Sequence, residues 1–237
     1  MAQNLPLAVS TMAALWPSGV AFSEAATDAT VPGLWPEEAA CVARAAPRRA
    51  AEFAFGRACA RAALGSLGIP PSAIAAGADR APVWPEGIRG TITHTDGYAA
   101  AAVARDRDFL GVGLDAEPAG RVARKLWPKI ATVTEQGWLL ALGADLEARA
   151  ATLLFCAKEA FYKCQYPATG RWLGFADVEV EAKLVGVTGT YTVRVVGARA
   201  RGDATDSASG RYLVRDDGLL LASAWIERAP VPAANRP

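Results

Sequence analysis

Four side chains in this chain are spaced to do chemistry together: Asp115 and Glu117 in GVGLDAEP, and Glu159 and Lys163 in FCAKEAFYK. Val112 and Leu114 alternate with Gly113 and Asp115, the period-2 pattern of a half-buried strand. In an extended chain residues two apart point to one side, so the Asp115 and Glu117 carboxylates project together. Two like charges held that close are costly unless a cation sits between them. A few hard oxygen donors, with room left for water or phosphate, suit Mg²⁺ better than zinc. Glu159 and Lys163 are four apart on a predicted helix, roughly 40° around its axis, and so share a face. Taken singly, each feature has a plainer reading. D-x-E also describes a strand end entering an acidic turn, and Glu159 with Lys163 an ordinary helix pair worth ~0.3–0.5 kcal/mol.

The elements that must position these groups follow in chain order. A helix is predicted from Pro36, with Glu37 and Glu38 near its positive end. A second covers 48–68, where Phe53, Ala60, Leu64 and Leu67 recur at helical spacing before the stop Gly68-Ile69-Pro70. Arg49, Arg57 and Arg61 gather on a related side of it, which by itself reads as a solvated basic face. Residues 71–90 form a Pro- and Gly-rich loop holding Arg80, and 90–105 read as two strands around Asp96-Gly97 with His94, the only histidine, near the first strand's end. Two short helices are expected over 120–144. A long one follows over about 145–166, its apolar set including Leu146, Leu153, Leu154, Phe161 and Tyr162. Strands at 176–182, 190–196, 211–215 and 219–227 make an antiparallel meander packed on that helix, with a mobile loop at 198–210 and a disordered tail at 229–237. The fold class is α+β.

Bulk properties exclude several functions. Lys plus Arg total 25 and Asp plus Glu 24, so a net charge of +1 argues against a bulk nucleic-acid binder. No run of 18 apolar residues is present to span a membrane. Pro6 and Pro17 interrupt the uncharged first stretch and no basic residue precedes Arg44, which argues against a secretory signal and for a cytoplasmic protein. Four cysteines without C-x-x-C spacing and one histidine provide poorly for zinc or disulfides.

In combination, four ordered stretches resemble the 4′-phosphopantetheinyl transferases, specifically the large monomeric group that includes the enterobactin-type and surfactin-type enzymes. RRAAEFAFGR (48–57), WPEGIRGTITH (84–94), GVGLDAEP (111–118) and FCAKEAFYK with YPATGRWLGF (155–175) carry the resemblance, over about residues 47–182. It implies two pseudo-symmetric lobes, 1–110 and 111–228, each a small antiparallel sheet with a long helix. The implied reaction moves 4′-phosphopantetheine from coenzyme A to a serine of an apo acyl, polyketide or peptidyl carrier protein and releases adenosine 3′,5′-bisphosphate. Asp115, Glu117 and Glu159 would hold Mg²⁺, with Mn²⁺ an acceptable substitute. Glu159, directly or through water, would be the base, and Lys163 would neutralise the pyrophosphate. Arg48 or Arg49, with Arg57, Arg80, Thr93 and His94, would grip the phosphates of coenzyme A. Thr93 stands where many members have serine, and Ala116 leaves its position to water. The resemblance also implies a monomer, and exposed Arg121, Arg124 and Lys125 are candidate contacts for an acidic carrier. A non-catalytic coenzyme A or carrier-protein binding module and an unrelated Mg²⁺-dependent phosphotransferase are the rival readings. The three acids with Lys163 speak against the first, the block 84–94 against the second.

Overall fold

Alternating strands punctuated by Gly and Pro build two antiparallel sheets in the computed structural model, which describes residues 11–184 and 186–229. The first sheet has three strands, β1 (Val20–Ala26), β2 (Ile88–Thr95) and β3 (Tyr98–Arg105), in the order β1-β3-β2. β2 and β3 form the hairpin expected at Asp96-Gly97, closing with Thr95 opposite Tyr98. The alanine-rich β3 is buried on both faces. Ala99, Ala101 and Val103 meet α2 (Pro47–Ser66), while Ala100, Ala102 and Ala104 turn toward the second sheet.

The second sheet has five strands: β4 (Phe109–Pro118), β5 (Val178–Ala182), β6 (Thr188–Val195), β7 (Ser207–Val214) and β8 (Leu219–Glu227). Its order, β4-β8-β7-β6-β5, is the expected meander with β4 added beside β8. The long helix α5 (Ala144–Thr169) lies on its outer face, after α3 (Trp127–Ile130) and α4 (Val133–Ala141). Leu220, Ala222, Ala224 and Ile226 of β8 belong to the core under α5, and Leu219, Leu221 and Trp225 to the layer between the sheets. The stack is therefore α2, sheet, sheet, α5. α1 (Pro36–Val42) packs beside α2. Each sheet carries one long helix, and the halves are unequal in strand number.

Several expectations are corrected. The basic set on α2 is solvated only in part: Arg49 is exposed, but Arg57 is buried and Arg61 donates to both Glu38 oxygens at 2.7 Å. α5 continues through Pro167, and the Gly170 N–H bonds the Tyr166 carbonyl at 2.8 Å in a left-handed cap. Leu146 is among the exposed apolar residues; Ala157, Ala160 and Cys164 join Leu153, Leu154 and Phe161 in the core instead. The stretch predicted as a mobile loop contains two 3₁₀ turns and the start of β7. Arg171 pins it, donating to Asp206 Oδ1 at 2.8 Å and to the Arg199 carbonyl at 2.7 Å. The predicted tail lies, from residue 230, outside the described residues. No described helix is long and apolar enough to cross a membrane. All four cysteines are free, and all but Cys41 are buried.

The contact that fixes the second half is between β4 and α5. A Cβ at Gly113 would collide with the Ala160 carbonyl, and one at Gly111 with that of Cys164, so the strand lies directly on the helix backbone. Gly113→Ala is expected to destabilise the protein at or above the ~1–3 kcal/mol typical of overpacked cores. Gly137→Ala, in open space on α4, should instead stabilise by about 0.5–1 kcal/mol. Denaturant midpoints of the two variants check the contrast.

Candidate active site

β4 sorts its side chains between two environments. Val112, Leu114 and Ala116 enter the layer between the sheets. Gly111, Gly113, Asp115 and Glu117 face α5. The glycines let the helix approach, and the approach brings Lys163 Nζ to 2.7 Å from Asp115 Oδ1. Lys163 also donates to the Leu114 carbonyl at 3.1 Å and to Thr93 Oγ1 at 3.4 Å. Threonines of β2 close the edge of β4 left unpaired by β8. Thr91 Oγ1 accepts the Leu114 N–H at 3.1 Å, and the Thr93 hydroxyl lies 3.4 Å from Asp115 Oδ1.

The acids sit in an unbalanced field. Burial, then the Asp115 charge, raises the Glu159 carboxyl above its ordinary range, with Glu117 adding to the effect. Burial and Asp115 likewise raise Glu117, although Arg121 Nε lies 3.0 Å from its Oε2. Asp115 Oδ2 is buried without a hydrogen-bond partner. Among the described residues no three Cys, His, Asp or Glu side chains converge closely enough to cage a metal unaided. The donor chemistry nevertheless fits a hard divalent cation: an orphaned carboxylate oxygen with two like-charged acids near it. Mg²⁺ keeps several waters and takes phosphate oxygens of its substrate, so the protein need not enclose it, and any of the three acids can hold it directly or through water.

A cleft of about 320 Å³ collects Arg49, Arg57, Arg80, His94 and Lys163 from α2, the 71–87 loop, β2 and α5. Tyr162, Tyr166 and Trp172 form its aromatic wall. Arg57 donates from Nε to the Ile74 carbonyl at 2.7 Å and stacks 3.8 Å from the Phe53 ring centre. Burial lowers its pKa to about 10, which leaves it charged at neutral pH. Arg80 is the only described non-glycine residue with positive φ, 68°, in a tight turn closed by Gly77 N–H to the Ala81 carbonyl at 2.8 Å. Strain of this kind costs about 1–3 kcal/mol and concentrates at functional sites. Arg49 Nη1 contacts His94 Nε2, and His94 Nδ1 lies 3.5 Å from Glu52 Oε2. Burial and Arg49 push the imidazole below its ordinary 6.5, so Nε2 accepts from Arg49 as a neutral ring.

Five of the sequence-predicted phosphate contacts thus share one cleft. Arg48 does not join them: it is tied to Glu52 and Asp96 outside. Thr93 is buried behind the cleft and serves Lys163 and Asp115. Sequence reading missed Glu52, which orders Arg48, Arg49 and His94. It also missed the aromatic wall, where Tyr162 stacks on Tyr166 at 5.1 Å and meets Trp172 edge-on at 5.4 Å. A second, apolar groove of about 210 Å³ lies across that wall, lined by Glu159, Phe161, Tyr162, Trp172, Leu173 and Phe175 among others. Lys158 was missed as well. It is buried on Glu135 at 2.6 Å and on the Phe175 carbonyl at 2.8 Å, and burial lowers its pKa.

An α+β scaffold with a basic cleft leading to a lysine–carboxylate pair has the make-up of a group-transfer enzyme. Comparison with known proteins agrees. Residues 37–104 match the family model "4′-phosphopantetheinyl transferase N-terminal domain", and 111–203 match "4′-phosphopantetheinyl transferase superfamily". The 4′-phosphopantetheinyl transferase Svp of Streptomyces mobaraensis is 41% identical over 216 residues, 90% of this chain and 87% of the relative. PptT of Mycobacterium tuberculosis is 37% identical over 86% of this chain and 91% of its own. Enterobactin synthase component D of Salmonella typhimurium is 29% identical over 77% and 75%. Among solved structures, the holo-acyl-carrier-protein synthase of Thermotoga maritima overlaps 51% of this chain and 65% of its own, at 21% identity and a TM-score of 0.38. The chain belongs to the 4′-phosphopantetheinyl transferase superfamily.

The single histidine makes the cleft's electrostatics directly observable. Because its folded pKa is depressed, His94 contributes stability that is present above 6.5 and lost as pH falls through the folded value. Proton NMR should place its midpoint below 6.5. Arg49→Ala should move that midpoint upward. An unmoved midpoint would mean that Arg49 does not govern the imidazole.

Proposed function

We propose that this chain transfers 4′-phosphopantetheine from coenzyme A to a serine of an apo carrier protein and releases adenosine 3′,5′-bisphosphate, in a reaction dependent on Mg²⁺. The observation that carries this reading is the meeting of five cationic or hydrogen-bonding groups in one cleft, one of which, Lys163, is held on Asp115. Coenzyme A presents phosphates at one end and a long, weakly polar arm at the other. The basic cleft suits the first, and the apolar groove beside Glu159 suits the second.

Arg49, Arg57, Arg80 and His94 would hold the 3′-phosphate and pyrophosphate through charge-assisted hydrogen bonds. Asp115, Glu117 and Glu159 are the residues that would hold Mg²⁺, which when bound neutralises charge on the two phosphates. Lys163 can exchange its weakest acceptor here, Thr93 at 3.4 Å, for a pyrophosphate oxygen without leaving Asp115. The serine hydroxyl attacks the phosphorus of the pantetheine phosphate, the bond to adenosine 3′,5′-bisphosphate breaks, and Glu159 takes the serine proton directly or through water. Arg121, Arg124 and Lys125, beyond the end of β4, would meet an acidic carrier. We read the lobe boundary near residue 110, just inside the first residues of β4, the chain as a monomer, and its compartment as the cytoplasm, which the free cysteines suit.

Mass spectrometry of an apo carrier protein incubated with coenzyme A tests the reading. A mass gain of one phosphopantetheine, lost in chelator and restored by Mg²⁺ or Mn²⁺, is expected. Coenzyme A binding without transfer would favour the binding module, and neither would remove the reading. Glu159→Gln should lower kcat by about 10²-fold or more while coenzyme A still binds. Lys163→Ala should lower kcat and weaken coenzyme A binding together, because ground-state contacts go as well. Near-wild-type kcat in both variants would leave Glu159 without a catalytic role and Lys163 as an ordinary ion-pair partner of Asp115.

Dephospho-coenzyme A separates the roles within the cleft. The wild type should use it less well than coenzyme A, and at least one of Arg49→Ala, Arg57→Ala, Arg80→Ala and His94→Ala should narrow that gap in kcat/KM. Equal gaps in all four would remove the 3′-phosphate from this cluster.

A further inference from the structure

The turn joining β7 to β8 touches both halves of the site. Its Gly218 carbonyl accepts the N–H of Ala119 at 2.8 Å, two residues beyond Glu117. Its Arg215 reaches the other way, from Nη1 to Glu24 Oε2 on β1 at 3.1 Å. The same carboxylate oxygen accepts the Tyr98 hydroxyl at 2.8 Å, and the Arg215 guanidinium stands 5.3 Å from the Tyr98 ring centre. Tyr98 is the first residue of β3, paired with Thr95 directly beside His94. Arg215, Glu24 and Tyr98 line a cleft of about 460 Å³, with Asp96 and Pro118 also in its wall.

The acids ride on β4 and α5, whereas His94 rides on the β2–β3 hairpin. The two sheets share no hydrogen-bonded ladder. Threonine hydroxyls join the hairpin strand to β4 within the site. The turn at 215–218 joins the hairpin's far end to the chain just past β4. Beside the threonine contacts, Arg215 thus supplies a second link between the hairpin's turn end and the chain that leaves the acid-bearing strand.

We propose that Arg215 is a positioning residue, acting through Glu24 and Tyr98 to set the His94 hairpin against the acids and so to set affinity for coenzyme A. This rests on the transferase reading. A purely structural ion pair between half-buried groups would stabilise only modestly and leave affinity unchanged.

Calorimetry with coenzyme A, steady-state kinetics, melting temperature and hydrogen exchange on Arg215→Ala, Arg215→Lys and Tyr98→Phe test it. Arg215→Ala should raise Kd and KM for coenzyme A roughly five- to tenfold, the lower end of couplings between separate elements, with kcat nearly unchanged. Arg215→Lys should recover part of the loss, because it keeps a cation facing Glu24. Tyr98→Phe should shift KM in the same direction while leaving the Arg215–Glu24 pair intact. Amides 94–98 should exchange faster in Arg215→Ala than other strand amides do. A lowered melting temperature and active fraction with KM unmoved would overturn the proposal. Should Arg215→Ala fail to fold, the lysine and phenylalanine variants decide by the same measures. Should the wild type bind no coenzyme A, the transferase reading fails by itself, and unaltered exchange at 94–98 in Arg215→Ala would then overturn the positioning role of Arg215 independently.

Discussion

The site depends on one close approach, that of β4 to α5. Backbone meets backbone there, because Gly111 and Gly113 present no side chain to the helix. The same alternation that puts glycines under α5 puts Asp115 and Glu117 on the same face one turn of the pleat later. Packing and chemistry are therefore consecutive uses of one strand face. A wider spacing would part Lys163 from Asp115. The strand buries its apolar residues in the opposite layer, so neither face is free to shift without disturbing the other.

The first half solves a different problem, holding a loop rather than a strand. Glu38, fully buried, receives Arg61 on both oxygens and the N–H groups of Ile74 and Trp35, each at 3.0 Å. Ile74 returns its carbonyl to Arg57. One carboxylate thus anchors α1, α2 and the start of the segment that carries Arg80. A buried acid with every lone pair engaged suits such a task, since removing any partner would strand a charge. The cleft's cations are consequently held from behind by the fold.

Much of this was legible in the sequence, and the reasons are local. The hairpin at Asp96-Gly97, the alternation through GVGLDAEP and the i, i+4 pair Glu159–Lys163 are each written within a few residues. What was illegible depends on long-range register. Arg48 and Arg49 are adjacent, yet roughly 100° apart on a helix, and only the placement of the hairpin against α2 turns one to Asp96 and the other to His94. Thr93 reads as a phosphate contact until β4 is seen to run beside it. Arg61 looks solvated until Glu38 arrives from another helix. Lys158, next to Glu159, points to Glu135 23 residues away, a pairing no spacing rule encodes. The helix runs on past Pro167 and ends where Gly170 closes its last turn in a left-handed cap.

The threonine-covered margin of β4 has a consequence for behaviour at high concentration. An unpaired strand border is a template on which another chain can assemble, and proteins blunt such borders with side chains or charge. Here the Leu114 amide is already taken by Thr91, so that donor is not open to a stranger. At the opposite border of the same sheet, β5 is five residues long and carries Glu179 and Glu181, the first paired with Arg194 at 2.9 Å. The seam where the acids are held is thus also a guard against strand-to-strand self-association, and a substitution at Thr91 bears on solubility as much as on the site.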